Sequence, residues 1–419
     1  MLTGLGLINP YRDRAAEGVV DGKNEVDDFF ARIMAGESAI RYHSLSNSPR
    51  PLALPLVACN HFNPIATLGP PLANAMDRFS HFAVAAAFSA WQDAGLARHC
   101  NRDDYGVSWG TGSGGSLTIE RGYQTLYFEN KERVSPLSVV LAMNNAAASH
   151  IAMQLGLGGS CVTHTVACAS SAVAIGEAFL RIREGAANLM LVGGSEAPLS
   201  YGVLRAWQAM RVMADGDETT AHRACRPFSA NRGGLTLAEG AAALVIEDWE
   251  HARARGAKIY AEVAGYGSSC DRTHIARPDS SGQVRAIAAA LQDAELNAQD
   301  IGYVNAHGTG TTEGDAIEIQ SLKTVFGEHA ANLAVSSTKS MHGHSLGAAS
   351  AMEALITTLA LHHQALPPTA HVNEISADCA GVDHVLMSAR RNVQVRAALS
   401  NSFAFGGSNA VLALRAVAA

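Results

Sequence analysis

Apolar positions alternate along the chain between the spacing of buried strands and the spacing of amphipathic helices. Short apolar runs in the first part predict strands at residues 1–8, 105–110, 161–167, 188–194 and 242–247. Helical spacing predicts helices at residues 25–36, 77–95, 135–155, 169–183 and 249–255. Because strands alternate with helices, the pattern predicts an α/β fold with mainly parallel sheets, covered by helices on both faces.

The same alternation starts again after residues 256–258. It predicts strands at 259–266, 303–306 and 334–337, helices at 281–296, 315–326 and 348–366, and two closing strands that flank the motif NSFAFGGSN at 401–409. Residues 37–73 are irregular and marked by prolines. We therefore expect two similar halves, 1–256 and 257–419, although no residue-level repeat is visible between them.

Composition and charge narrow the function classes. The chain has 419 residues, 48% hydrophobic, and a formal net charge of −7 with no basic cluster, which argues against nucleic-acid binding. No apolar run approaches the ~20 residues of a membrane span, and no signal peptide is apparent. The seven cysteines are scattered and contain no CxxC pair, which argues against a disulfide framework or a structural zinc site. We expect no metal site. We expect a cytoplasmic, reducing location.

Cys168 stands at the junction between the strand predicted at 161–167 and the helix predicted at 169–183. A thiol at the start of a helix faces unpaired backbone N–H groups and the positive end of the helix dipole, and both favour the nucleophilic thiolate. The competing interpretation is an inert buried cysteine, because cysteine is among the most buried residue types. His164, four residues earlier, is interpreted as structural.

Further candidate groups follow predicted strands, where open α/β sheets build their sites. They are the glycine cluster Gly110–Gly115, His307, Lys339, His344, Glu353 on the next helix, and Gly406 with Gly407. The two histidines could donate hydrogen bonds to a developing oxyanion. Lys339 and Glu353 could equally form an ordinary ion pair. For the glycine cluster, a close-packed turn is favoured over a phosphate site, because the lysine of a P-loop is missing.

Taken together, these segments resemble the elongating β-ketoacyl-acyl carrier protein synthases. The matching pieces are ACASSA around Cys168, NAHGTGTTEGD around His307, STKSMHGHSLGAA around Lys339 and His344, and NSFAFGGSN near the end. The resemblance covers nearly the whole chain. It implies the thiolase fold, with two βαβαβαββ halves about a pseudo-dyad stacked as α-β-α-β-α layers, usually in a dimer.

The resemblance also implies roles for the candidate residues. Cys168 would take the acyl chain from an acyl carrier protein. His307 and His344 would hold the thioester carbonyl of a malonyl unit while carbon dioxide leaves. Lys339 and Glu353 match the supporting polar pair. The substrates would be carried on the phosphopantetheine of the carrier, so no cofactor of the enzyme's own is implied.

Other positions match the substrate channel of this family. The backbone N–H groups of Cys168 and Phe405 would form the oxyanion hole, and Thr309 and Thr311 would line the phosphopantetheine arm. Phe405, followed by Gly406 and Gly407, would gate the acyl pocket, with Trp207 nearby. Ser113 would lie at the base of that pocket.

Several positions depart from the common family pattern. Ser113 replaces a large apolar residue, Trp207 lies where Phe is frequent, and His342 stands where Thr is common; Thr312 and Glu313 are also atypical. These departures suggest polyketide or polyene extension, with a chain-length-factor subunit as an alternative to the homodimer. Thiolases, initiating synthases and chain-length factors fit less well, because they require a second cysteine, an asparagine or a missing nucleophile. A hydrolase or simple acyltransferase using the same thiol remains an alternative.

Overall fold

The computed structural model describes residues 1–11, 22–45 and 49–417. Its strands are β1 Leu2–Ile8, β2 Arg41–Ser44, β3 Ala53–Leu56, β4 Tyr105–Gly110, β5 Cys161–His164, β6 Leu189–Glu196, β7 Gly240–Glu247, β8 Glu262–Cys270, β9 Ile301–Asn305, β10 Ala334–Ser336, β11 Ala365–Leu366, β12 Asp383–His384, β13 Arg390–Arg391, β14 Ala397–Ala404 and β15 Ser408–Arg415. Its helices are α1 Gly22–Met34, α2 Pro64–Leu68, α3 Pro70–Ala73, α4 Arg78–Asp93, α5 Ser116–Tyr123, α6 Ser138–Ala142, α7 Ala146–Leu155, α8 Ser170–Arg183, α9 Tyr201–Ala209, α10 Trp249–Ala254, α11 Ser280–Asp293, α12 Thr312–Phe326, α13 Lys339–His342 and α14 Ala349–His363.

Two mixed sheets form the frame of the molecule. The first has the strand order β1-β7-β6-β4-β5 and the second the order β12-β10-β9-β14-β15-β8. Strands β6, β4 and β5 run parallel, as do β12, β10, β9 and β14, whereas β1, β7, β15 and β8 pair antiparallel with their neighbours. The expectation of mainly parallel sheets is therefore only partly right, because a tight turn such as the one joining β14 to β15 reverses the chain.

Helices cover both sheets and also fill the space between them. Apolar residues of α4 and α7 pack on the outer face of the first sheet, and those of α11 and α12 on the outer face of the second. Between the sheets, α8 and α14 contribute Ile175, Met352 and Leu355 to a core that both sheets share. The molecule thus has the expected α-β-α-β-α layers, with two buried helices at its centre.

The two halves repeat one packing arrangement residue by residue. Gly4 and Gly6 of β1 let the strand touch the backbone of α4, and Gly265 and Gly267 of β8 do the same against α11. The N–H of Leu5 donates to Asp93 Oδ2, and the N–H of Tyr266 donates to Asp293 Oδ2, both at 2.9 Å. The helices that supply these groups end in AWQDAGL at 90–96 and ALQDAEL at 290–296. The sequence therefore does contain a residue-level repeat, contrary to our expectation.

Elements with weak periodicity differ from the prediction. The single helix expected at 135–155 consists of α6 and α7 with a break between them, and the strand expected at 161–167 ends at His164. The irregular region 37–73 holds β2, β3, α2 and α3, and no pattern predicted α5 or α9. The motif NSFAFGGSN lies partly within β14 and β15, so only residues 405–407 form the turn. Among the described residues, no helix is both long and apolar enough to cross a membrane.

Candidate active site

Cys168 lies in a tight turn between β5 and α8. Ala167, the residue before it, has a φ of +46°, a left-handed conformation that is uncommon for residues other than glycine. The Ser170 hydroxyl holds the turn, because it accepts the N–H of Val166 at 2.8 Å and donates to the carbonyl of Ala167 at 2.6 Å. The thiol is thereby fixed beneath the start of α8. The Nε2 atom of His164 instead lies 3.1 Å from the hydroxyl of Ser108.

The resting thiol is protonated. Burial raises the pKa of Cys168 to about 12, although the Lys339 ammonium and the backbone N–H of Phe405 lower it. From the sequence, we expected the helix start to favour the thiolate; in the folded protein, desolvation raises the pKa of the thiol by more than Lys339 and the Phe405 N–H lower it. Nucleophilic attack consequently requires a nearby proton acceptor.

His344 and His307 stand beside this thiol. The Nε2 atom of His344 lies 3.1 Å from Cys168 Sγ, and the rings of the two histidines are nearly perpendicular with centroids 5.5 Å apart. Burial and the charge of Lys339 hold the pKa of both imidazoles well below 6.5. Both are therefore neutral at pH 7, so each can donate one hydrogen bond or accept one proton.

Lys339 and Glu353 form a buried ion pair behind the histidines. Lys339 Nζ donates to Glu353 Oε1 and also to the main-chain carbonyl of His307 at 2.6 Å. Burial raises the pKa of Glu353 to about 7 even though Lys339 pulls it down. The pair is more than an ordinary surface bridge, because it attaches directly to the backbone that carries His307.

Two buried carboxylates that the sequence analysis did not single out hold the turn after β9. Glu318 accepts the N–H groups of His307 at 2.9 Å and Gly308 at 2.8 Å, and Asp315 accepts those of Thr309 and Gly310, each at 3.1 Å. Both acids belong to α12, directly after the HGTGT motif. Acidic residues on the inner face of that helix were the available signal, but they resemble ordinary N-terminal helix charges.

A third buried carboxylate, Glu196, joins the glycine cluster to the segment after His344. It accepts N–H groups from Gly112 at 2.6 Å, Ser113 at 2.9 Å and Gly347 at 3.0 Å. The glycine cluster is therefore the close-packed turn expected, since two of its N–H groups are occupied by this carboxylate. Burial raises the pKa of Glu196 to about 7 against the effect of these donors.

A cavity of about 300 Å³ leads from the surface to the thiol. Cys168, His307 and His344 line it, together with Thr309, Thr311, Trp207, Phe405 and Gly407. The hydroxyls of Thr309 and Thr311 lie 3.0 Å apart, and the rings of Trp207 and Phe405 are stacked with centroids 5.9 Å apart. Two exposed arginines, Arg211 and Arg277, also line it.

Other predicted site residues lie outside this cavity. Ser113 is half-buried in the glycine turn, away from the lining, and Gly406 donates its N–H to the carbonyl of Ile275 at 2.7 Å. Gly406 and Gly407 have φ values of +90° and +70°, which form the turn that brings the N–H of Phe405 to the Cys168 thiol. Among the described residues, Cys168, His307 and His344 are the one set of possible metal ligands that converge.

Comparison with known proteins places the chain in a family. Residues 15–252 match the family model "Beta-ketoacyl synthase, N-terminal domain", and residues 260–373 match "Beta-ketoacyl synthase, C-terminal domain". Nodulation protein E of Rhizobium sp. (strain N33) is 46% identical over 82% of this chain and 83% of its own length. A 3-oxoacyl-[acyl-carrier-protein] synthase 2 of Synechocystis sp. is 37% identical over 99% of this chain and 97% of its own length. The solved ishigamide ketosynthase/chain length factor superposes with a TM-score of 0.87 at 31% identity, covering 100% of this chain and 98% of the other.

Proposed function

The chain belongs to the β-ketoacyl synthase family, and on that premise we propose that Cys168, His307 and His344 catalyse a decarboxylating Claisen condensation on carrier-bound substrates. The enzyme is a condensing acyltransferase. The observation that carries the assignment of residues is one thiol with two neutral imidazoles, whose donor atoms all lie within 4.8 Å of one another at the cavity.

In the first half-reaction, Cys168 accepts the acyl chain. His344 Nε2, at 3.1 Å, takes the thiol proton as the sulfur attacks the acyl thioester. The carrier thiolate leaves and receives that proton, and the acyl group remains on Cys168. The exchange of one thioester for another costs little free energy, which suits a thiol nucleophile.

In the second half-reaction, the histidines stabilise an enolate. The malonyl thioester loses carbon dioxide, and the electron pair left on its α-carbon is delocalised onto the thioester oxygen. Hydrogen bonds from His307 and His344 hold that oxygen, since both imidazoles are neutral donors. The carbanion attacks acyl-Cys168, and the Cys168 thiolate leaves and takes up one proton from solvent. The malonyl carrier retains a 3-oxoacyl chain two carbons longer than the acyl group.

The oxyanion of each tetrahedral intermediate would be held by backbone N–H groups. The Phe405 N–H already hydrogen-bonds to the Cys168 thiol, so it lies at the reacting centre. The N–H of Cys168, close to the start of α8, is the second donor. Lys339 and Glu353 would not contact the substrate. Lys339, held by Glu353, would fix the backbone of His307 through its hydrogen bond to the His307 carbonyl.

The outer cavity would receive the phosphopantetheine arm of an acyl carrier protein. Thr309 and Thr311 present hydroxyls along the channel. Arg211 and Arg277 are exposed beside it and suit the phosphate of the arm and an acidic carrier. We propose no further cofactor, because thiol, imidazoles and N–H groups supply the whole chemistry.

The acyl chain would lie beyond the stacked pair of Trp207 and Phe405. In this proposal the Phe405 side chain is the gate of the pocket. Because its ring stacks on that of Trp207, a change of the Phe405 rotamer would require the Trp207 side chain to move as well. Ser113, in the turn tied to the His344 segment by Glu196, would lie at the base of the pocket. Its small side chain suits a longer or differently shaped chain than a large apolar residue would.

A second subunit of this fold would cover an apolar face beside Ser113. Residues 119–143 of α5, α6 and the segment between them expose large hydrophobic side chains, among them Tyr127 and Phe128, and β5 is an edge strand. We propose that a second copy of this chain covers this face. Each copy would be built of the halves 1–256 and 257–419, and the two sheets and the two matched family models support that division.

All seven cysteines are free, which supports a cytoplasmic location.

Intact-mass measurement tests the reaction. The protein is incubated with acyl carriers of different chain length and then with malonyl carrier. We expect acyl transfer to wild type and none to Cys168→Ala, whereas His307→Ala keeps acylation and loses condensation. Acyl transfer to Cys168→Ala would contradict the assigned nucleophile, and product without malonyl carrier or carbon dioxide would favour a hydrolase or simple acyltransferase.

A heterodimer is the second candidate, because the ishigamide ketosynthase/chain length factor is similar over the entire chain. In that case the isolated protein acylates but elongates poorly until a chain-length-factor-like subunit is added. Elongation by the isolated protein with a second copy of itself would exclude that candidate. Both candidates share the roles assigned to Cys168, His307 and His344.

A further inference from the structure

The catalytic groups have the composition of a zinc site. Cys168 offers Sγ, and His307 and His344 each offer one ring nitrogen, with all three donor atoms within 4.8 Å of one another. A thiolate with neutral imidazoles is a preferred ligand set of Zn²⁺.

The distances between the three donor atoms are close to those of a tetrahedral zinc site. Tetrahedral zinc with bonds of about 2.0–2.3 Å places neighbouring ligand atoms about 3.5 Å apart. Cys168 Sγ and His344 Nε2 are 3.1 Å apart, and no two donor atoms of the three residues are more than 4.8 Å apart. Side-chain rotations that move these atoms by about 1 Å would bring all three to the separation of tetrahedral zinc ligands. The cavity lies on the remaining side and leaves a fourth position for water.

We propose that Cys168, His307 and His344 form a reversible Zn²⁺ site that blocks the nucleophile. Binding replaces the Cys168 S–H bond with a sulfur–zinc bond and releases one proton to solvent, with no change of oxidation state. A bound metal occupies the lone pair that attacks the thioester and the nitrogens that hold the malonyl carbonyl. The site therefore excludes both substrates at once.

The surroundings favour a reversible ion over a resident one. Histidines of permanent zinc sites donate their second ring N–H to an acceptor. Among the described residues, the Nδ1 atoms of His307 and His344 are buried without a partner. The ammonium of Lys339 also lies behind the site, held by Glu353 and the His307 carbonyl. Zn²⁺ should therefore bind under excess metal and leave when a chelator is added.

Alkylation mapping of the wild-type protein tests this without any acyl substrate. Each of the seven cysteines is followed by peptide mass spectrometry after iodoacetamide treatment, with Zn²⁺ alone, without metal, and with Zn²⁺ followed by EDTA. We expect Zn²⁺ to slow alkylation of Cys168 at least about 10-fold and EDTA to restore it. Exposed Cys161 and Cys270 serve as internal references. Unchanged Cys168 alkylation under saturating Zn²⁺ would overturn the proposal.

Co²⁺ provides a spectroscopic test of the ligands. Wild type should show a thiolate-to-cobalt charge-transfer band and tetrahedral ligand-field bands, and Cys168→Ser should lose the charge-transfer band. His307→Ala and His344→Ala should each weaken binding about 10-fold or more, with circular dichroism confirming the fold. Cys161→Ser is the matched control and should bind as wild type. Equal spectra in Cys168→Ser and wild type would overturn the site even if the proposed condensation is correct.

Discussion

At Cys168, the sequence could predict the residue's place in the candidate site but not the protonation of its thiol. Motifs and strand-end positions depend on local residue order, and they predict Cys168 and its two histidines as candidate site residues; the folded chain brings the three together. Their protonation depends on burial by α8, α14 and both sheets, which arise from residues far apart in the chain. The carboxylates Glu196 and Glu318 were missed for the same reason, since only the folded chain aims them at backbone N–H groups.

The raised pKa of Cys168 predicts how its reactivity depends on pH. Because burial raises this pKa to about 12, the thiolate fraction of the folded protein should still be rising between pH 8 and 10. The alkylation rate of Cys168 should therefore increase about 10-fold per pH unit over that range. Stopped alkylation with residue-resolved mass spectrometry measures this rate.

The same thiol in urea-unfolded protein is the control. Without burial its pKa returns to about 8.5, so the rate should level off above pH 9. A plateau below pH 8 in the folded protein would contradict this prediction and would indicate a thiolate in the resting site.

The hydrogen bonds of Glu318 to the turn that carries His307 lead us to expect that Glu318 positions this histidine for condensation. Glu318→Gln replaces one acceptor oxygen by an NH₂ group facing backbone donors, so the turn carrying His307 should shift. We expect condensation to fall about 100-fold because reacting groups lose alignment, while acylation of Cys168 changes little. Single-turnover assays of the two half-reactions measure the separation.

Glu328→Gln, exposed just beyond the end of α12, is the matched control and should leave both half-reactions unchanged. An equal loss of acylation and condensation in Glu318→Gln would instead point to general damage of the site.

At the scale of elements, periodicity predicted those that bury one continuous face. The bounds of β4 matched the prediction, and those of α4, α8 and α12 differed by only a few residues, because their apolar positions define a face against a sheet. Helices α5 and α9 were missed because few of their residues are buried. The repeat of β1 with α4 and β8 with α11 was also missed, since its signal is a pair of glycines and a distant aspartate.

That repeat predicts the effect of adding one methyl group at the strand–helix contact. In Gly6→Ala, the new Cβ would lie 2.3 Å from the Ala86 carbonyl oxygen, and in Gly267→Ala 2.1 Å from the Ala286 carbonyl oxygen. These are backbone atoms of α4 and α11, so strand and helix must separate. We expect each variant to lose about 1–3 kcal/mol of unfolding free energy, measured by urea denaturation.

Gly122→Ala in α5 is the control, because its nearest neighbour is a side-chain atom of Val134 at 3.8 Å. It should gain about 0.5–1 kcal/mol through helix propensity. Gly6→Ala and Gly267→Ala with wild-type midpoints would show that the contact is looser than the structure indicates.

For the molecule as a whole, alternation of strands and helices predicted sheets covered by helices on both faces, and the family resemblance implied the five layers. Neither defined the exposed surface. Sheet order and mixed strand direction depend on pairings between residues hundreds of positions apart, such as β1 with β7. The exposed apolar face along 119–143 could not be predicted either, because the sequence does not show which apolar residues the fold leaves exposed. A patch of that kind on one chain indicates a surface covered by another subunit.

If a second subunit covers the apolar face along 119–143, a single charged residue introduced there should prevent the dimer from forming. Val139 of α6 is 77% exposed and belongs to the same apolar segment as the exposed Tyr127, Phe128 and Val140. In the proposed interface, Val139→Asp would bury an unpaired carboxylate. We expect wild type to have the mass of two chains by sedimentation and Val139→Asp that of one, with unchanged circular dichroism. Met387→Asp, an exposed apolar position elsewhere, is the control and should remain dimeric. A monomeric wild type that pairs only with an added chain-length-factor-like subunit would assign the face to a heterodimer, and a dimeric Val139→Asp would place the interface elsewhere.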